Sequence, residues 1–392
     1  MYKRAFYRDP LFVGLIGIFV ATLVCTIPYS RQKIDSVYMR IQTYIHSFTP
    51  HDNYISKPKM LATKIQITIP TDVPHATPEA EQVPPMNWSS PPIRHEYQTW
   101  NNCGPATLEF GLSGLGFPDN QKEIAEKVKG NPEDKNVNPE ELVAYANQKD
   151  SIKALVRLNG TLNKVKLLSA NGAMVILETW FELHSDDGMG HFRLLRGYNN
   201  ANQKLYFADS YKGPNIELSQ EEIVKNWEVF NNLYIVLYKK SDAKKIETIL
   251  ASDIDIQKNL DNTMRTNLEH LSTNKSDMYA WFNLGVVYTH QKKYEDASKA
   301  FDMARSLGLP WRMLWYQFEP LEAYIETNRA QDTLDLVSVN LKQAGNHEES
   351  YYFQGLAYQA LGKQSEADKS FAKAKDLNPN VRKPNIFYSE EE

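Results

Sequence analysis

Cysteine is scarce in this chain of 392 residues, which contains only Cys25 and Cys103. Cys25 lies inside an apolar N-terminal run, so Cys103 has no partner for an intrachain disulfide in the rest of the chain. A lone thiol of this kind is either a small buried apolar side chain or a group kept for its reactivity. The residues around Cys103 indicate whether the thiol is buried and inert or reactive.

An excess of positive charge is also lacking. The 44 Lys and Arg residues are outnumbered by 48 Asp and Glu residues, which gives a formal net charge of -4. No nucleic-acid partner is therefore predicted. The phosphate-binding motif GxxxxGK[ST] and the metal-binding motif HExxH are both absent. His184 near Asp186 and Asp187 is better explained by a turn at Asp-Asp-Gly than by a metal site, so neither cofactor nor metal is predicted.

Long apolar runs are few, and one stands at the N-terminus. Residues 11–27 (LFVGLIGIFVATLVCTI) carry no charge and follow three basic residues, Lys3, Arg4 and Arg8. No cleavage site with small residues follows the run. We therefore predict an uncleaved signal anchor, a single transmembrane helix, within residues 1–30, with a cleaved signal peptide as the alternative. The basic cluster favours an N-terminus inside and a body on the extracytoplasmic side of a bacterial-type membrane.

A juxtamembrane segment and linker is predicted over residues 31–92. Residues 32–48 have apolar residues at helical spacing, and prolines then recur up to position 92. One short strand is predicted at residues 64–69 (KIQITI). The proline-rich stretch is typical of an extended tether.

A compact domain is predicted over residues 93–240. Helices are indicated at 103–115, 120–128 and 139–148, and strands at 154–158, 173–177, 192–198, 204–208 and 233–238. Helices followed by strands predict an α+β domain with an antiparallel sheet.

The last third, residues 241–392, repeats a pattern of aromatic and small residues. The two copies are Trp281, Leu284, Gly285, Tyr288, Ala297, Phe301, Ala304 and Tyr351, Gly355, Tyr358, Ala367, Phe371, Ala374, Pro379. This spacing resembles the tetratricopeptide repeat, a helix-turn-helix unit. It predicts an all-α solenoid with a degenerate middle repeat at 315–343. One further helix, from 243 to about 271, is expected to pack ahead of the first repeat.

Cys103 has the context of a reactive thiol. Gly104 and Pro105 after it resemble a helix start, where backbone N–H groups and the helix dipole stabilise a thiolate. The candidate bases are His95, His184 and His191. His191 immediately precedes one strand-like run and Asp209 immediately follows the next, so two adjacent antiparallel strands could place the two side by side. The carboxylate would then orient the imidazole.

The stretches QTWNNCGPATL, GHFRLLRGYNN and LYFADSY, in this order, resemble the papain-clan bacteriocin-processing (double-glycine leader) peptidases and their stand-alone relatives. The resemblance covers residues 93–238 and implies a papain-like fold, with the nucleophile on a helix packed on the sheet. It also implies a role for four residues. Cys103 would be the nucleophile, His191 the general base and then acid, Asp209 the orienting group, and Gln98 a donor to the oxyanion.

These features predict a membrane-anchored, exported cysteine peptidase that hydrolyses peptide bonds. Its expected partners are a protein or peptide substrate, a protein bound by the repeats, and the membrane through the N-terminal helix. Two alternatives remain open at this point. One is an inactive peptidase-like scaffold, and the other is an acyltransferase that uses the same thiol.

Overall fold

The computed structural model describes residues 82–131, 134, 136–182, 188–343 and 345–387, together with positions 37 and 57–58. The predicted N-terminal anchor, the predicted strand at 64–69 and residues 183–187, which include His184, Asp186 and Asp187, lie outside these residues. Within them, no helix combines the length and the apolar character that crossing a membrane requires.

An antiparallel sheet forms the centre of the first domain. Its strands are β1 (Asn87–Ser89), β2 (Ile152–Arg157), β3 (Met174–Glu182), β4 (Gly188–Asn199), β5 (Lys204–Asp209), β6 (Gly213–Ser219) and β7 (Tyr234–Lys239). They lie in the order β2-β7-β3-β4-β5-β6, and β1 also pairs with β4. Every one of these pairings is antiparallel. The predicted α+β architecture is confirmed, and β1 and β6 are strands that the sequence did not indicate.

Helices cover both faces of the sheet. They are α1 (Cys103–Gly114), α2 (Gln121–Val128), α3 (Pro139–Asn147), α4 (Leu162–Ala170) and α5 (Gln220–Trp227). Alternate residues of the central strands point to opposite faces, so Ile176 joins one hydrophobic cluster and Val175 another. α1 packs closely on the first face, because the Thr107 hydroxyl donates to the Phe192 carbonyl (3.2 Å). A Cβ at Gly111 would lie only 2.6 Å from Leu237.

The rest of the described chain is helical. It forms α6 (Ala243–Leu250), α7 (Ile256–Thr273), α8 (Met278–His290), α9 (Tyr294–Leu307), α10 (Glu319–Glu326), α11 (Ala330–Gln343), α12 (Glu348–Ala360) and α13 (Gln364–Leu377). The predicted repeats appear as the antiparallel pairs α8–α9, α10–α11 and α12–α13. The single helix predicted at 243–271 is wrong. It is interrupted at Ala251, whose left-handed φ of 51° ends α6 and leads through a short 3-10 turn to α7.

The helical repeats pack against the first face of the sheet and against α3. Buried residues of both regions belong to one continuous hydrophobic cluster. Polar contacts tie the regions together as well, since the Asn138 amide donates to Glu349 Oε1 (3.3 Å) and the Asn131 amide donates to the Leu377 carbonyl (2.9 Å). The repeats are therefore joined to the first domain at the start of α3 and at the loop after α2.

Candidate active site

Cys103 is the first residue of α1. The first hydrogen bond of this helix runs from the Ala106 N–H to the Asn102 carbonyl (3.0 Å), so the thiol lies where the helix leaves its N–H groups unpaired. Asn102 itself is fixed by its amide, which donates to Gln121 Oε1 at 3.0 Å. The thiol is partly buried. These contacts hold Cys103 at the positive end of the helix dipole.

His191 and Asp209 lie on the neighbouring strands β4 and β5. Arg193 is directly opposite Asp209 in the register, and His191 is two residues before Arg193. All three side chains therefore share one face of the sheet. His191 Nε2 lies 3.1 Å from Asp209 Oδ1, and both side chains are almost fully buried. The ring N–H is not aimed at this oxygen, so the contact is a charge pair rather than an aligned hydrogen bond.

The Cys103 thiol lies within hydrogen-bonding reach of the His191 imidazole. Because Nε2 faces Asp209, Nδ1 is the ring nitrogen left for the thiol. Burial alone would raise the pKa of the thiol, but the hydrogen bond and charge of His191 outweigh it and lower that pKa from its ordinary value. Burial would also lower the pKa of His191, but the charge of Asp209 and the contact with Cys103 raise it to about 9. The arrangement favours a thiolate–imidazolium pair.

The Asp209 carboxylate is fully buried and firmly held. Its Oδ1 accepts hydrogen bonds from the backbone N–H groups of Tyr211 (2.8 Å) and Lys212 (2.7 Å). Its Oδ2 accepts one from Arg193 Nε (2.8 Å). Burial opposes its ionisation, yet the charges of His191 and Arg193 hold the pKa of Asp209 well below its usual range. Asp209 is therefore an anion that keeps His191 protonated.

Gln98 contacts Ser210, the residue that follows Asp209. Its backbone N–H donates to the Ser210 carbonyl (2.9 Å), and its side-chain Oε1 accepts from the Ser210 hydroxyl (2.7 Å). Oε1 is thereby occupied, while Nε2 makes no hydrogen bond to any described residue. Gln98 also lines a cleft of about 730 Å³ together with Trp100 and Asn102. The amide of Gln98 thus has a free donor beside the loop that leads to Cys103.

His95, the other candidate base among the described residues, makes different contacts. His95 Nε2 contacts the Asp209 carbonyl oxygen (3.0 Å), and its ring stacks on Phe110 at 4.8 Å between centroids. His184 lies outside the described residues. Over the described ranges, no group of three or more His, Cys, Asp or Glu side chains could hold a metal ion.

Sequence reasoning missed three residues around the site. Arg193 and His191 both contact the Asp209 carboxylate, and Arg193 also donates to the Thr179 hydroxyl (2.6 Å). Its position two residues beyond His191 on a strand was the available signal. Glu178 lies one residue past the predicted end of its strand, and Tyr316 comes from the repeats. No local pattern connects either of these two to Cys103.

Comparison with known proteins agrees with this architecture. Residues 80–235 match the Peptidase_C39 like family, and residues 348–381 match a Tetratricopeptide repeat. No curated protein matches the chain. The chain therefore carries a C39-like peptidase domain followed by C-terminal tetratricopeptide repeats.

Proposed function

We propose that this C39-like domain hydrolyses peptide bonds as a cysteine peptidase, with the adjoining repeats recognising a protein. The observation that supports the proposal most strongly is the arrangement of Cys103, His191 and Asp209. The thiol lies at a helix N-terminus, within reach of an imidazole that a buried carboxylate keeps protonated. Such an arrangement supplies a nucleophile and a proton donor in one place.

The proposed reaction proceeds through an acyl-enzyme. The Cys103 thiolate attacks the peptide carbonyl carbon, and the resulting oxyanion is stabilised by Gln98 Nε2 and the Cys103 N–H. The tetrahedral intermediate collapses as the C–N bond breaks, and His191 donates its proton to the leaving amine. The neutral imidazole then takes a proton from water, the hydroxide attacks the thioester, and the carboxylic acid leaves with restoration of the thiol.

The peptide substrate would enter along the cleft beside the loop of residues 96–102. This cleft of about 730 Å³ is lined on one side by Gln98 and Trp100 and on the other by α2. Its size is within the range of small-molecule and peptide sites. The cleft therefore offers room for an extended peptide next to the proposed oxyanion donor.

Alkylation of Cys103 tests the proposal. We expect the full chain to react with iodoacetamide at about pH 6, well below the ordinary thiol pKa of about 8.5. His191→Ala should abolish this reactivity, because the thiol then loses its hydrogen bond and its counter-charge. His270→Ala, a histidine paired with Asp277 on the repeats, is the matched control and should behave like the wild type. Cys103→Ala defines the background.

Hydrolysis is measured in parallel on a library of fluorogenic peptides. The proposal requires turnover that disappears in Cys103→Ala without loss of folding. Alkylation at pH 6 that does not depend on His191 would contradict the role of the imidazole. Thiol reactivity without hydrolysis, accompanied by transfer of the acyl group to an added amine, would identify an acyltransferase instead. Absence of both would leave a peptidase-like scaffold.

The membrane anchor belongs to the same proposal, on the strength of the uncharged run at residues 11–27 after three basic residues. We expect the full chain to remain in the membrane fraction after alkaline carbonate extraction. A variant that lacks residues 1–30 should be released. Recovery of both forms in the supernatant would contradict the anchor.

A further inference from the structure

A cavity of about 230 Å³ lies between α3 of the C39-like domain and the helical repeats. Two carboxylates line it, Glu140 from α3 and Glu319 from the start of α10. Glu140 is only 2% exposed, and its Oε1 accepts a hydrogen bond from the Asn385 N–H (3.2 Å). Glu319 Oε1 contacts His290 Nε2 at 3.1 Å. The second oxygen of each carboxylate is buried and has no partner among the described residues.

Unpartnered carboxylate oxygens in a buried place are costly, because burial removes the water that would otherwise solvate them. Two such oxygens in one cavity form a preformed acceptor site for a cationic donor. The lysines of the lining do not fill this role. Lys292 is exposed, and Lys383 at the rim is already paired with Glu322.

Tyr316 connects this cavity with the proposed active site. Its ring lines the cavity and also lies against Gly190, where an added Cβ would come within 2.9 Å of Tyr316 Cδ1. Gly190 immediately precedes His191. Tyr316 therefore lies between the cavity and the strand that carries His191.

Glu178 is a third buried carboxyl group in this region. It lies opposite Phe192 in the β3–β4 register, on the strand next to His191, and is 4% exposed. Burial raises the pKa of Glu178, and the charges of Cys103, Glu140 and Glu319 raise it further. The thiol and the three carboxyl groups therefore interact electrostatically.

We propose that this cavity is a specificity subsite that receives a lysine or arginine side chain of the peptide substrate, with Glu140 and Glu319 binding its cationic end. The inference rests on the proposed peptidase function and names the substrate class for it. It also gives the repeats a direct part in the reaction, since Glu319 and Tyr316 belong to them. A peptide chain at Cys103 would pass Tyr316 to place its basic side chain in the cavity.

Epoxysuccinyl peptides test this inference on the full chain. The Cys103 thiolate opens the epoxide, so that an S–C bond forms, a C–O bond breaks and His191 protonates the departing oxygen. Peptides are extended on either side of the epoxide and carry lysine, norleucine or glutamate at each position in turn. At one position we expect lysine to label Cys103 at least about 10-fold faster than norleucine, the gain of one charge-assisted hydrogen bond. Glutamate should be slowest there.

Substitutions in the cavity provide the control. Glu140→Gln and Glu319→Gln should each bring the lysine-to-norleucine rate ratio toward one, while the norleucine rate itself reports that the site is still folded. Glu322→Gln should keep most of the ratio, because this carboxylate is already engaged by Lys383 and Tyr294.

Two results would contradict the proposals, and they are distinguishable. Equal labelling by lysine and norleucine peptides at every position, with normal alkylation by iodoacetamide at about pH 6, would overturn the subsite and leave the peptidase function intact. Absence of iodoacetamide labelling above the Cys103→Ala background would overturn the proposed function itself.

Discussion

The most unusual residue of the site is Arg193, because it competes with the imidazole for one carboxylate. Asp209 has a cation on each oxygen, His191 at 3.1 Å from Oδ1 and Arg193 Nε at 2.8 Å from Oδ2. Arg193 is itself buried and donates to Thr179 of the next strand. A buried anion with two buried cations is stable only while all its partners remain. Arg193 therefore contributes to folding more than to thiol activation.

Arg193→Met separates these two roles. We expect the free energy of unfolding to fall by about 3 kcal/mol, because a buried ion pair loses one partner. Alkylation of Cys103 at about pH 6 should stay within about threefold of the wild type, since Asp209 keeps its charge and both backbone donors. Chemical denaturation and iodoacetamide kinetics measure the two effects.

Arg196→Met is the matched control on the same strand. Arg196 is partly exposed, and among the described residues its side chain donates to the Ser90 hydroxyl and the Pro214 carbonyl, so its loss should cost less than about 1 kcal/mol. Unchanged stability of Arg193→Met would show that the guanidinium does not hold Asp209. Loss of alkylation without loss of stability would assign Arg193 to thiol activation instead.

At the scale of elements, a feature can be predicted from the sequence where it depends on a local pattern, such as the alternation of side chains along a strand or the spacing of a repeat. The alternation along β4 and β5 predicts that His191 and Asp209 can meet, and the structure brings them within 3.1 Å. The repeat pattern is equally local. Gly285 and Gly355 are spaced from Phe301 and Phe371 as in tetratricopeptide repeats, and a Cβ at either glycine would come within 2.6 Å of the partner ring.

Other features of the structure depend on packing between segments that are distant in the sequence. The helix predicted from 243 to 271 ends early at Ala251, although neither glycine nor proline marks the break. Glu178 approaches Cys103 because of the β3–β4 register, and Tyr316 approaches Gly190 because the repeats fold back on the sheet. The proximity of His191 and Asp209 could thus be predicted from sequence, whereas the neighbouring cavity required the assembled fold.

At the scale of the whole molecule, the interface between the C39-like domain and the repeats contains buried carboxyl groups. The carboxyl groups of Asp134 and Glu348 interact at this interface, and burial raises the pKa of both. Asn378 also donates to Glu348 Oε1 (3.3 Å). Burial and the charge of Asp134 raise the pKa of Glu348 to about 7. Docking of the repeats, which also form part of the proposed subsite, is thereby coupled to a proton.

This coupling predicts how stability depends on pH. Between about pH 4.5 and 7 the folded protein retains a proton that the unfolded Glu348 has lost, so the free energy of unfolding should fall as pH rises, by about 3 kcal/mol. Glu348→Gln removes this titration and should flatten the decline, which makes the variant more stable than the wild type at pH 7. Exposed Glu366→Gln on α13 is the control and should keep the wild-type slope. Denaturation series across this interval measure all three proteins, and equal slopes would show that no proton is held at this interface.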